Sequence, residues 1–119
     1  MLQIKRAYEP PTKKDGYRVL IDRLWPRGIK KENLPLDAWM KELAPSSELR
    51  KEFGHNPDRW MDFQKKYERE LRSPEARESI WRLAMLAKRR TVTLIYSARD
   101  EAHNDAVVLQ KIIHRKMTS

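Results

Sequence analysis

Two runs of contiguous apolar residues, Val19-Leu20-Ile21 near the start and Val92-Thr93-Leu94-Ile95-Tyr96 near the end, limit the fold more than anything else in the chain. A strand that is apolar at successive positions has no solvent face and belongs inside a sheet covered on both sides. Between the two runs the apolar spacing is helical, so the strands are joined by crossover connections, and such connections build parallel sheets. The expected architecture is a single α/β domain over residues 1–119: a small, mostly parallel sheet with helices on both faces.

The remaining elements fit that frame. Leu2 to Arg6 reads as a short strand ended by Pro10 and Pro11, and alternation from Leu36 to Lys41 suggests another. Ser46 or Ser47 can cap a brief helix through Leu49 and Phe53 that Gly54 stops. Asn56-Pro57 and Ser73-Pro74 each pair a cap with proline in the first helical position. After them Trp60, Phe63, Tyr67 and Leu71, and then Ala76, Ile80, Leu83, Ala84 and Ala87, recur at the spacing of one buried helical face. The stretch from Asp105 to Met117 is read as the last helix.

Composition removes several function classes. With no cysteine there is no disulfide framework, thiolate metal centre or thiol nucleophile. No apolar run approaches the roughly 18 residues of a membrane span, and no cleavable apolar leader is seen, so a cytoplasmic, non-membrane protein is expected. The three glycines are too scattered for a nucleotide-binding loop, and the three histidines show no metal-ligand spacing. No metal site and no cofactor is assigned. Lys and Arg number 26 against 17 Asp and Glu, a net charge of +9 that favours anionic partners through long-range attraction.

In open parallel sheets, ligands bind outside the carboxyl ends of the strands. That rule brings together two polar segments. The first holds Asp22, Arg23, Trp25 and Arg27, where arginine forks suit phosphate or carboxylate and an indole can stack on a flat ligand. The same residues also read as an internal Asp–Arg salt bridge with Trp25 in the core. The second segment holds Tyr96, Ser97, Arg99, Asp100, His103 and Asn104, at a strand-to-helix turn whose free backbone donors favour an anion. Ser46, Arg50 and His55 are expected to reach the same crevice. If the crevice is catalytic, Asp100 and His103 are the acid–base pair and the arginines stabilise charge, in hydrolysis or transfer at a phosphate or carboxylate. The main reading is a binder of a small anionic ligand, and the alternative is a basic nucleic-acid-associated module without catalysis.

The stretch from Asp15 to Gly28, the segment Trp39-Met40-Lys41-Glu42-Leu43-Ala44-Pro45-Ser46, the run Phe53-Gly54-His55-Asn56-Pro57, and Val92 to Asp100 with His103-Asn104 closely resemble the YeaO-like branch of domain-of-unknown-function family 488. The likeness covers nearly the whole chain. It implies a compact bacterial or archaeal cytoplasmic α/β domain and names no substrate or cofactor. Other branches of that family carry a cysteine in the strand-end motif, where this chain has Tyr96-Ser97-Ala98-Arg99-Asp100, and a Cys-His-Arg triplet around His103-Asn104. Both cysteines are missing here, so thiol chemistry does not carry over.

Overall fold

In a computed structural model describing residues 1–118, the strands β1 (Leu2–Arg6), β2 (Tyr17–Leu20), β3 (Ala38–Trp39) and β4 (Val92–Tyr96) form one sheet in the order β1-β4-β2-β3. Every pairing is parallel, with Val19 opposite Leu94, Leu20 opposite Ile95 and Ile4 opposite Leu94. The two apolar runs are thus direct neighbours, and β4, paired on both sides, is fully buried along its length. Three α-helices, α1 (Ser47–Phe53), α2 (Trp60–Glu70) and α3 (Pro74–Ala87), lie between β3 and β4, and a fourth, α4 (Asp105–Met117), follows β4. Among the described residues, no helix is long and apolar enough to cross a membrane.

Alternation along the strands sorts the core into two layers. Val19, Ile21, Val92, Leu94 and Tyr96 face the four α-helices, which contribute Phe53, Phe63, Tyr67, Leu83 and Leu109 among others. Leu20 and Ile95 face the opposite way, against Ala7 and Leu34 and the partly buried Trp25, Ile29, Leu36 and Trp39. The α-helical cover lies on the first face. On the second, the long loop after β2, with a single 3-10 turn at Lys31–Asn33, supplies the apolar side chains instead.

Local chemistry explains the element boundaries. Ser46 caps α1 by accepting from the Leu49 N–H at 3.1 Å, and Gly54 closes it in the left-handed conformation. Asn56 caps a 3-10 turn, Pro57–Arg59, so the helix expected from Pro57 begins as that tighter turn before α2. The strand expected from Leu36 to Lys41 narrows to Ala38–Trp39, because Pro35 precedes it and another 3-10 turn, Lys41–Leu43, follows at once. Gly16 has φ +62, and any Cβ there would run into the Thr91 carbonyl, so glycine is required where the chain enters β2.

The second face carries a buried polar row near the amino ends of the strands, where Gln3, Thr93 and Arg18 stand in register. It centres on Asp15, whose carboxylate accepts from Lys5 at 3.0 and 3.1 Å, from the Thr12 N–H and hydroxyl at 3.0 Å each, and from Arg18. Burial by itself raises the Asp15 pKa, but the hydrogen bonds from Thr12, Lys5 and Arg18 outweigh it and hold the group at about 2. A folded-state pKa below the unfolded one gives stability that is complete above about pH 4 and is lost as pH falls through about 2. Asp15→Asn, which takes the carboxylate partner from the buried Arg18 and the half-buried Lys5, is expected to cost about 3–5 kcal/mol at pH 7 in urea denaturation. The gap between wild type and variant should close as pH is lowered from about 4 to 2; a gap independent of pH would show that Asp15 acts through packing alone.

Candidate functional site

Parallel pairing of β2 with β4 sends both chains out at one edge of the sheet, and there a single carboxylate joins them. Asp22, two residues beyond β2, uses Oδ2 to accept from the Ser97 backbone N–H at 2.9 Å and from the Ser97 hydroxyl at 2.7 Å, one residue beyond β4. The Asp22 carbonyl accepts from the Trp39 indole at 2.6 Å. From β1, Arg6 donates to the carbonyls of Ala98 at 2.8 Å and Ser97 at 3.3 Å. Three strands therefore set the position of the segment that follows β4.

Beyond Ser97 the chain turns around Asp100. Its carboxylate accepts from the N–H groups of Ala102 at 2.9 Å and His103 at 3.1 Å, and its second oxygen lies 2.8 Å from His103 Nδ1. These contacts, the Ala102 N–H foremost and then the His103 side chain, lower the Asp100 pKa. Asn104 donates to the Asp100 carbonyl at 2.9 Å and accepts from the Val107 N–H at 3.0 Å, capping α4 with a buried side chain. The Ala106 N–H goes to Asp105 Oδ1 at 2.9 Å. The start of α4, expected to offer free donors to an anion, thus spends them on its own Asn104 and Asp105 side chains.

The two strand-end segments and α1 enclose a cleft of about 650 Å³. Asp22, Arg23, Trp25 and Arg27 line it from the β2 side; Ser97, Arg99, Asp100, His103 and Asn104 line it from the β4 side; Arg50 and His55 come from α1 and just after it. His55 reaches it from a left-handed backbone with φ 55, which follows the left-handed Gly54. Ser46 and Tyr96, expected in the crevice, are absent from its lining. Ser46 is committed to the α1 cap and to Glu70, and Tyr96 lies in the core at 2 % exposure.

The arginines are not used alike. Arg23 Nε makes one long contact with the Pro45 carbonyl at 3.4 Å. The guanidinium groups of Arg27, Arg50 and Arg99 take part in no hydrogen bond or ion pair among the described residues. The internal Asp22–arginine salt bridge does not form, because Ser97 occupies Asp22. Trp25 satisfies its indole N–H on the Ile29 carbonyl at 2.6 Å and sets its ring edgewise on Trp39 at 5.6 Å, so it is both core and cleft wall. His103 meets the Trp60 ring edge-on at 5.2 Å, which places half-buried Trp60 at the site's margin rather than deep in the core.

Composition gave no sign of Asp105. Its carboxyl contacts that of Asp22, and its pKa is pushed well above the ordinary carboxylate value by removal from water, then by the Asp22 charge and the hydrogen bond between the two. At the first position of α4 an aspartate reads as a complement to the helix dipole, so its partner across the sheet edge stayed hidden. Phe53 and Phe63, read from the sequence as core residues of their helices, complete the wall with Leu24, Pro45, Ala98 and Tyr8. Among the described residues, no group of three or more acidic or imidazole side chains is placed to hold a metal ion.

Comparison with known proteins places the chain in a family. A family model described as the inactive DUF488-N3 subclade, DUF488-N3i, matches residues 1–119. The uncharacterised protein YeaO of Escherichia coli K12 is 48 % identical over 108 residues, covering 91 % of this chain and 92 % of the relative. The uncharacterised proteins Mb3100c of Mycobacterium bovis and Rv3073c of Mycobacterium tuberculosis are each 36 % identical over 113 residues, covering 95 % of this chain and 93 % of theirs. No solved structure matches the chain significantly.

An acid whose folded-state pKa is raised binds its proton more tightly folded than unfolded, so its contribution is most favourable at low pH and is lost as pH rises through the folded value. Asp105→Asn, which keeps a neutral partner for Asp22, is therefore expected to raise the denaturation midpoint at pH 7 and to lose that advantage at pH 4. Equal midpoints for wild type and variant at both values would mean that the two carboxyls do not interact.

Proposed function

The chain belongs to the inactive DUF488-N3 subclade, and from that premise we propose that it is a binding protein that takes a small phosphate- or carboxylate-bearing ligand into the cleft at the carboxyl ends of its strands, without transforming it. The observation that carries the reading is the trio Arg27, Arg50 and Arg99, three guanidinium groups on one cleft with no carboxylate partner among the described residues. Surface arginines are commonplace. Three that converge from separate segments on one concavity, while the nearby acids bind Ser97 and each other, form a receptor for negative charge.

On this reading the Asp100–His103 pair shapes the turn. Asp100 is occupied by two backbone N–H groups as well as by the imidazole, as suits a loop anchor. The missing cysteines and the description of the subclade as inactive both favour binding over turnover. The net charge of +9 then serves to speed encounter with an anion.

Thermal denaturation in inorganic phosphate, pyrophosphate and citrate, each against chloride of matched ionic strength, tests the proposal. At about 100 times its dissociation constant a specific ligand adds roughly 2.7 kcal/mol of stability, and saturable stabilisation by at least one of these anions is expected. Arg99→Ala should weaken that response about tenfold or more, the loss of one charge-assisted contact. Identical responses in wild type and in the Arg27, Arg50 and Arg99 variants would defeat the proposal. Steeply salt-dependent binding of a single-stranded oligonucleotide with no anion response would favour the nucleic-acid module instead.

A further inference from the structure

Resting on the anion-binding reading above, we infer that the ligand is a hydroxylated anion of the sugar-phosphate class, whose phosphoryl group meets the arginine rim and whose hydroxyls donate to the Asp22–Asp105 carboxyl pair.

Size is the first ground. A water claims about 30 Å³ of the liquid, so a bare phosphate, the size of a few waters, leaves most of a 650 Å³ cleft unfilled. Clefts of about 300–1,000 Å³ suit ligands with a carbon skeleton as well. The second ground is the lining: the aromatic residues Phe53 and Phe63 line the same cleft as the cations, a surface for the C–H face of a sugar ring rather than for a second charge.

The third ground is the carboxyl pair. Two ionised carboxylates would offer about eight acceptor positions; the proton held between Asp22 and Asp105 removes about two of them, Ser97 takes two and the Ala106 N–H one. Asp22 and Asp105 both line the cleft, and among the described residues no further protein donor is assigned to the positions left over, so they call for a ligand that donates. An ammonium would donate as well, but Arg23, Arg27, Arg50 and Arg99 line the same cleft and repel it. A neutral hydroxyl meets the same acceptors without that opposition.

Isothermal titration at pH 7 and low ionic strength with inorganic phosphate, ribose 5-phosphate, glucose 6-phosphate, free ribose and O-phosphoethanolamine separates the terms. At least one sugar phosphate is expected to bind about tenfold or more tightly than inorganic phosphate, the scale of one hydrogen bond to a charged group. Phosphoethanolamine should gain nothing over phosphate, and free ribose should not register. In Asp105→Asn the ratio of phosphate to sugar-phosphate dissociation constants should fall to within about threefold. If inorganic phosphate binds and neither sugar phosphate binds tighter, or if the ammonium compound binds tightest, the hydroxyl assignment is overturned while anion binding stands. If folded wild-type protein takes up none of these anions, the anion-binding reading falls and this assignment with it. The comparison among ligands uses wild-type protein, so the test holds even if the variant fails to fold.

Discussion

One carboxylate oxygen, Oδ2 of Asp22, carries the organisation of the sheet's carboxyl-end edge. By accepting both the backbone N–H and the hydroxyl of Ser97 it fastens the exit of β2 to the exit of β4, which only parallel neighbours could bring within reach. The other contacts at that edge depend on this one. Arg6 clamps the Ser97 and Ala98 carbonyls, Asp100 turns the chain, and Asn104 starts α4 at an angle that delivers Asp105 back to Asp22. With Asp22 so engaged, Arg27, Arg50 and Arg99 have no carboxylate partner among the described residues.

The two ends of the sheet thus treat the same residue types in opposite ways. At the amino ends the Asp15 carboxylate is surrounded by Lys5, Arg18 and Thr12, and it accepts from all three. At the carboxyl ends Asp22 and Asp105 pair with each other, and among the described residues Arg27, Arg50 and Arg99 have no carboxylate partner. Exposed, unpaired arginines cost little, since water solvates them and a surface ion pair contributes only about 0–1 kcal/mol. Two carboxyls in contact away from water do cost stability, and a molecule that keeps them has concentrated its unsatisfied electrostatics in one concavity.

The sheet was legible in the sequence because its signal is local and redundant. Val19-Leu20-Ile21 and Val92 to Tyr96 declare burial on both faces, and the Ser-Pro, Asn-Pro and Gly54 punctuation marks the helices between them. The strand-end rule then converted the fold into a place, and Asp22, Arg27 and Arg99 do line one cleft. What stayed hidden depends on side-chain direction or on distant pairing. Tyr96 follows the period of β4 into the core, Ser46 is drawn off by Glu70, and Asp105 becomes an acid partner only once the register sets it against Asp22. Trp60 shares the helical stripe of Phe63 and Tyr67, yet at the first turn of α2 it turns its ring toward His103. Trp25 and its loop mates show the converse, since a segment without helical period still covers a sheet face when it carries enough apolar side chains.

The strand order has a consequence for how the molecule is made. β4, the strand that stands between β1 and β2, is the last of the four to be synthesised. At translation rates of about 5–20 residues per second, β1 and β2 wait on the order of several seconds for the partner that separates them. During that interval the apolar run Val19-Leu20-Ile21 has no parallel neighbour from its own chain except the two-residue β3, and the helices α1 to α3 have no sheet on which to lay their apolar faces. Non-local pairing of this kind is slow to close. The four-stranded sheet therefore cannot be completed until Val92 to Tyr96 has been made.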